Sequence, residues 1–240
     1  MENPLRPIGY IGLATAVFAL GVTVLSPQAM GPLPHGLKTP VLALELADSV
    51  YEVETMFGAP GSAERADWAA AMRAGVLVDF GLVAMYGLLL AGVARKLLPA
   101  LRSVSSSDEL SLAALQRARI AVILAVGAAA LDVLENCELL VILDGVAHGV
   151  RDYDGALARL RWVAWPKWIA LAAWFVVLSP ELVHARGALR VSAMAGSIGA
   201  ISAVLAIMHP GVAAEVMALG IAIGMVALVP GCLRELPRLD

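Results

Sequence analysis

The chain has 240 residues, of which 60% are hydrophobic and 15% are charged, and its mean hydropathy is +0.82. Soluble domains average about 45–50% apolar and about 25% charged residues, so this composition excludes an ordinary soluble domain. A net charge of −3 without a basic run argues against nucleic acid as a partner, and two cysteines at different predicted depths exclude a disulfide scaffold.

Six predominantly apolar segments are each long enough to cross a bilayer. They cover about residues 8–26, 74–94, 119–143, 162–179, 191–208 and 212–230. The sequence therefore predicts a single transmembrane domain, residues 1–240, folded as an all-α bundle of about six transmembrane helices. We interpret the first segment as a retained span rather than a signal peptide, because it lacks a convincing small-x-small cleavage site.

The distribution of lysine and arginine predicts the orientation. Ten of these residues fall on the side that holds both termini and the loop after the second span, and six fall on the other side. By the positive-inside rule, both termini are expected in the cytoplasm and the protein in the cell (cytoplasmic) membrane. An aromatic belt is expected at the outer surface, formed by Trp68, Trp162, Trp165 and Trp168.

The predicted outer loop, residues 27–73, contains a segment with helical periodicity. Its apolar stripe consists of Leu42, Leu46, Val50, Val53 and Phe57, and its polar face carries Glu45, Asp48 and Glu52. An amphipathic helix that binds anionic lipid normally carries Lys or Arg, and this one carries neither. We expect a helix that lies over the outer mouth of the bundle, or a solvated helix that simply covers a hydrophobic surface.

Acidic residues in the third span are the strongest functional signal. Asp132, Glu135 and Glu138, together with Asn136, fall within about 160° of the helix circumference. An acid near the bilayer centre costs about 2.5–3.5 kcal/mol, whereas each Leu, Ile or Val contributes only about 0.3–0.6 kcal/mol in return. Such residues normally face protein, water or one another, which favours a functional site over a purely structural role.

Polar residues of the neighbouring spans are predicted at matching depths. Asp79, Glu138 and Lys167 each lie about five residues, roughly 8 Å, inside the outer edge of their spans. Tyr86 lies two turns below Asp79, at the level of Asp132. The predicted site therefore uses Asp79, Asp132, Glu135 and Glu138 as acid/base or relay groups, and Tyr86, Asn136 and Lys167 as substrate-binding groups. For Lys167 the alternative is that its side chain extends to the outer surface.

Four acids against one lysine would give this site a charge of −3. Burial and like-charge neighbours both favour protonation, so either some carboxyls are neutral or a cation shares the site. Neutral carboxyls suit proton relays and general acids, and ionised carboxyls suit cation binding.

Other chemical signals are weak. The four histidines lie in loops or at helix ends and are not spaced as ligand pairs, and no phosphate-binding loop is present, so we expect no metal and no cofactor. Gly220 and Gly224 form a G-x-x-x-G pattern, and the fifth span is rich in small residues. This pattern favours close helix packing within the chain, with a homo-oligomer through the fifth and sixth helices as the alternative.

The polar residues also carry a resemblance. An Asp followed by a Tyr on one span (Asp79, Tyr86), a Leu-Asp-x-x-Glu-Asn helix (131–136) and a lysine early in the next span (Lys167) resemble a family of uncharacterised bacterial multi-pass membrane proteins. The resemblance covers about residues 40–180. It implies a bacterial inner membrane location and supplies no activity.

Two function classes follow, each with membrane lipids as neighbours. A transporter-like protein would handle protons, cations or a small cationic solute, whereas an intramembrane enzyme would apply acid/base chemistry to a lipid or isoprenoid. Transport predicts a polar route to the cytoplasm, but Ala121, Ala125 and Ala128 continue the acidic face with small apolar residues. A structural or assembly role is the third alternative.

Overall fold

The computed structural model describes residues 3–102, 112–150, 152–185 and 187–234. Every regular secondary-structure element in these ranges is a helix, so the fold of the described residues is all-helical. The helices are α1 (Arg6–Leu25), α2 (Pro40–Glu45), α3 (Val50–Phe57), α4 (Ala63–Arg102), α5 (Leu112–His148), α6 (Asp154–His184), α7 (Gly187–Met208) and α8 (Val212–Leu233), with a 3₁₀ turn at Pro34–Gly36.

Six of these helices are long and apolar enough to cross a membrane: α1, α4, α5, α6, α7 and α8. The predicted polytopic helical bundle is therefore confirmed. Helix α4 has 40 residues, about 60 Å at 1.5 Å per residue, so it is longer than the roughly 30 Å of a hydrocarbon core. It begins at Ala63, within the segment predicted as loop, because Ser62 caps it by accepting a hydrogen bond from the Arg65 backbone N–H at 3.2 Å.

The six long helices form a closed ring. Chain neighbours pack side by side from α4 through α8, and α1 closes the ring by packing on both α4 and α8. At the end where α1 begins and α8 finishes, the Asn3 side-chain amide donates to the carbonyl oxygen of Cys232 at 2.9 Å. The ring encloses the polar residues of α4, α5 and α6.

Glycines of α7 and α8 bring these two helices into close contact. A Cβ atom added at Gly220 would lie 2.8 Å from the Gly199 backbone nitrogen and 2.9 Å from the Ala195 carbonyl oxygen. The glycines that predicted close packing therefore lie at a contact between two helices of the same chain. The homo-oligomer through these helices stays a prediction.

Residues 27–62, which we call the cover, close one end of the ring. The single amphipathic helix predicted here is instead two short helices, because the chain turns between Glu45 and Val50 and Ser49 starts α3 by accepting from the Glu52 backbone N–H. The apolar stripe is buried. Glu45 is buried as well, although the pattern placed it on the solvated face.

Polar contacts fix the cover to the bundle at several points. The buried guanidinium of Arg65 on α4 donates to both carboxylate oxygens of Glu54 on α3, at 2.7 and 3.0 Å. The hydroxyl of Tyr153, just before α6, donates to the same carboxylate at 2.7 Å. Glu215 on α8 accepts from the backbone N–H groups of Lys38 and Thr39 at 2.6 and 2.8 Å.

Candidate functional site

Lys167 lies at the centre of a buried polar cluster. Its side chain points into the ring and only 3% of the residue is exposed, which excludes the alternative in which it extends to the surface. Its Nζ lies 3.3 Å from Asp132 Oδ1 and is also hydrogen-bonded to Glu135 Oε1. Both acids come from α5, whereas the depth argument placed Lys167 level with Glu138 and put Asp132 deeper.

Glu45 is a member of this cluster that sequence reasoning missed. Its Oε2 accepts from Lys167 Nζ at 3.3 Å and from the indole N–H of Trp168 at 3.2 Å. Burial raises the pKa of Glu45 above its usual range, and the nearby Asp132 raises it further, while Lys167 opposes both. A signal was present, since Glu45 is the one acid in the apolar run 41–47.

Trp168 also has a different place from the one predicted. It was assigned to an aromatic belt, but its indole donates to Glu45 and Lys167 Nζ lies 4.7 Å from its ring centroid. This cation–π contact and the hydrogen bond orient the lysine and the acid of the cover together.

Two further hydrogen bonds connect α4 to α5. The Tyr86 hydroxyl donates to Asp132 Oδ2 at 2.7 Å, and the Asn136 amide donates to Asp79 Oδ2 at 2.7 Å. Asp132 therefore accepts a hydrogen bond from Lys167 on one carboxylate oxygen and from Tyr86 on the other. Asp79 forms no ion pair within the described part of the chain.

Glu138 does not join the cluster. Its two carboxylate oxygens accept from Arg159 on α6 at 2.7 and 2.9 Å, near the surface. Glu138 lies about 120° around α5 from Asp132. Its side chain therefore points in a different direction and faces a different part of α6.

Glu138 is absent from the cluster, but Glu45 is present. The cluster therefore still contains four carboxyls (Glu45, Asp79, Asp132, Glu135) and Lys167. The second oxygen of Glu135, Oε2, is buried and has no hydrogen-bond partner among the described residues. A buried charge without compensation is strongly disfavoured. The cluster therefore requires protons or an added cation to approach neutrality.

A cavity of about 220 Å³ lies against this cluster. Its polar wall is formed by Thr15, Glu45, Asp79, Tyr86, Asp132, Lys167 and Trp168. The rest of the lining is apolar and comes mainly from α1, α4 and α8, including Leu82, Leu89, Ile221 and Met225. Carboxyls from α4, α5 and the cover, with Lys167 from α6, thus border an apolar space.

The cavity reaches the lateral surface of the bundle between α1 and α8. Three lining residues, Ala16, Ala222 and Val226, are exposed and lie on these two spanning helices. Towards the start of α1 and the finish of α8 the two helices lie close together, since a Cβ at Gly12 would lie 2.8 Å from Val229. In a membrane, this mouth faces the acyl chains of lipids.

A second, smaller cavity of about 30 Å³ lies between the cluster and the cover. Its polar lining is Ser26, Glu45, Asp79 and Asn136, and the buried Ser26 hydroxyl has no partner among the described residues. A space of at least about 10–15 Å³ with two to four polar partners is enough for one water molecule. A water here would connect Asp79 to Glu45.

Ala121, Ala125 and Ala128 continue the acidic face of α5 and are completely buried in the core. Their place in the core agrees with close helix packing rather than with a water path.

No family model, no curated protein and no solved structure matches this chain. We therefore infer its function from the chemistry of its own residues. The resemblance to bacterial multi-pass membrane proteins stays a prediction.

Proposed function

We propose that the protein binds a lipophilic ammonium compound from the membrane and exchanges it for protons, as a transporter-like protein of the cytoplasmic membrane. The observation that carries this proposal is the apolar cavity with a lipid-facing mouth, whose polar wall has three carboxyls (Glu45, Asp79 and Asp132) and one lysine.

The charge balance of the buried cluster supports a cationic ligand. Lys167 compensates one carboxylate, so the remaining acids stay neutral by holding protons until a second cation enters. An ammonium group beside Asp79 and Asp132 would replace those protons. Binding of a permanent cation is therefore coupled to proton release.

The shape of the cavity supports a lipophilic ligand. Its volume of about 220 Å³ is below the roughly 300–1,000 Å³ of typical sites for drug-sized ligands, so it suits a compact head group. An alkyl tail would leave through the mouth between Ala16 and Ala222, where the surroundings are apolar.

A small polar cavity beside the cover offers protons a path between acids of the cluster. Asp79 and Glu45 both line the small cavity beside Ser26, and one water there would connect them. Asp79 and Glu45 also line the apolar cavity, so this water would carry a proton between two acids of its polar wall.

The test uses octyltrimethylammonium, with octanol as its uncharged counterpart, and protein in a neutral detergent. We expect saturable binding of the cation and not of octanol, with proton release in weakly buffered solution. Asp79→Asn and Asp132→Asn should each weaken binding roughly tenfold to a hundredfold, because a quaternary ammonium group has no N–H donor and is held by charge attraction, which is worth about 1–4 kcal/mol at 4 Å.

Glu138→Gln is the matched control, since Glu138 is an acid of the same helix that lies outside the cavity and pairs with Arg159. It should bind as the wild type does. Equal binding of octanol, or binding that is insensitive to both Asp variants, would contradict the proposal.

An intramembrane enzyme acting on a lipid or isoprenoid is the second candidate. The favouring observation is that Tyr86 donates to Asp132 at the cavity wall, which places an acid/base pair beside an apolar space. Native mass spectrometry of protein extracted from its own membrane would distinguish the two. A discrete co-purified lipid that Asp132→Asn loses would favour the enzyme, and if both tests fail a structural or assembly role gains support.

A further inference from the structure

A second polar cluster lies in the cover, separate from the cavity. It consists of His35 on the 3₁₀ turn, Asp48 between α2 and α3, and Glu52 in the first turn of α3. One potential ligand atom from each lies within 4.8 Å of the other two.

The two distances from His35 are close to the ligand spacing of a tetrahedral metal site, and the atoms of Asp48 and Glu52 lie within 4.8 Å of each other. His35 Nε2 lies 3.4 Å from Asp48 Oδ2 and 3.6 Å from Glu52 Oε1. With zinc–ligand bonds of about 2.0–2.1 Å, two ligands of a tetrahedron are about 3.3–3.4 Å apart. These three side chains would therefore need only small shifts to enclose Zn²⁺.

Each carboxylate is oriented through its second oxygen. Glu52 Oε2 accepts a hydrogen bond from the Asp48 backbone N–H at 2.5 Å, and Asp48 Oδ1 forms an ion pair with the guanidinium of Arg161 on α6 at 3.2 Å. One oxygen of each acid is left facing His35. Outer hydrogen bonds of this kind hold metal ligands in place.

We propose that His35, Asp48 and Glu52 bind a Zn²⁺ ion, with water as the fourth ligand. Two carboxylates and a neutral imidazole compensate the charge of the ion, and one nitrogen with two oxygens suits zinc better than Ca²⁺ or Mg²⁺, which prefer oxygen ligands. Asp48 is half-exposed, so both ion and water reach the site from solution.

The ion would link separate parts of the cover. It would join the 3₁₀ turn to α3, and through Asp48 and Arg161 it would connect both to α6. Thirteen residues separate His35 from Asp48, so ligand spacing in the sequence does not indicate the site. The inference does not depend on what the apolar cavity binds.

The test is Zn²⁺ titration by calorimetry of protein without a histidine tag, previously stripped with EDTA. We expect one Zn²⁺ per chain, no competition from excess Ca²⁺ or Mg²⁺, and a higher melting temperature with Zn²⁺ than with EDTA. His35→Ala and Glu52→Gln should each weaken binding at least about tenfold and lose the Zn²⁺-dependent rise.

His148→Ala is the matched control, because His148 is an exposed histidine beside a single carboxylate, Asp144, at 3.6 Å. It should retain wild-type binding. The proposal is overturned if the wild type binds no Zn²⁺ or if both cluster variants bind as it does. It is also overturned if His35→Ala lowers the melting temperature equally with Zn²⁺ and with EDTA, which would indicate an ion pair of a protonated histidine.

Discussion

The ammonium group of Lys167 on α6 lies 3.3 Å from the carboxylate of Glu45 on α2, a residue 122 positions earlier in the chain. This contact joins the cover to the bundle inside the protein rather than at its surface. Since the same ammonium group contacts Asp132 and Glu135, the charge of the cavity wall and the position of the cover depend on one side chain.

Replacing this cation should destabilise the protein in a pH-dependent way. Lys167→Met leaves three buried acids without their partner, and removal of one member of a buried ion pair typically costs about 3–5 kcal/mol. Protonation neutralises the acids, so the loss should be smaller at pH 5 than at pH 8. Thermal unfolding at the two pH values measures the difference.

Lys96→Met, at an exposed position of α4, is the control and should have little effect at either pH. Equal destabilisation of Lys167→Met at pH 5 and pH 8 would mean that the lysine stabilises the fold by packing and not by charge.

Glu45 should make wild-type stability fall as pH rises. Because burial raises its pKa, the native state keeps this proton at pH values where the unfolded chain, with the ordinary value of 4.5, has lost it. The unfolding free energy then falls from about pH 4.5 upward until the native pKa is passed. Glu45→Gln cannot titrate, so its stability relative to wild type should improve over that range.

Denaturant unfolding of the two proteins between pH 4 and pH 8 measures this change. Glu64→Gln, an exposed acid in the first turn of α4, serves as the control. Parallel pH profiles for wild type and Glu45→Gln would show that Glu45 titrates as an ordinary surface acid.

The spans and most of the cluster were predictable because both depend on position along single helices. Long apolar runs locate the helices, and counting residues from their ends places Asp79 and Lys167 in the outer half of their spans, with Asp132 about two turns deeper. These three residues do line one cavity. Depth is a local property, so one sequence is enough to estimate it.

Direction around a helix was harder to predict. Glu138 was grouped with Asp132 on a face of about 160°, but such a face is wide enough to contact two different surfaces. Glu45 was placed with Asp48 because a single helix was assumed, and the break before Val50 changes that relationship. Both errors concern which neighbour a side chain meets, which is set by the packing of the whole bundle.

The close contact of α7 and α8 predicts opposite effects for two glycine substitutions. A Cβ at Gly220 would press on backbone atoms of α7 at 2.8 and 2.9 Å, and backbone cannot move aside as a side chain can. Gly220→Ala should therefore cost about 1–3 kcal/mol. At Gly127 on α5 nothing lies within 4 Å, so Gly127→Ala should be neutral or stabilise by about 0.5–1 kcal/mol through helix propensity.

Thermal unfolding of both glycine variants tests this contrast. A destabilised Gly127→Ala together with an unaffected Gly220→Ala would contradict the described packing of the two helices.

A larger side chain in the mouth of the cavity should block ligand entry without disturbing the carboxyls. Ala222 lies on α8 at the exposed edge of the cavity, so the ring of Ala222→Phe would occupy the space between α1 and α8. We expect slower association of octyltrimethylammonium, and weaker binding if the ring enters the cavity, with unchanged thermal stability. Leu219→Phe is the control, because Leu219 is exposed on the same helix and lies outside the cavity lining. If Ala222→Phe binds the cation at the wild-type rate and affinity, ligand enters by another route and the lipid-facing mouth has no part in binding.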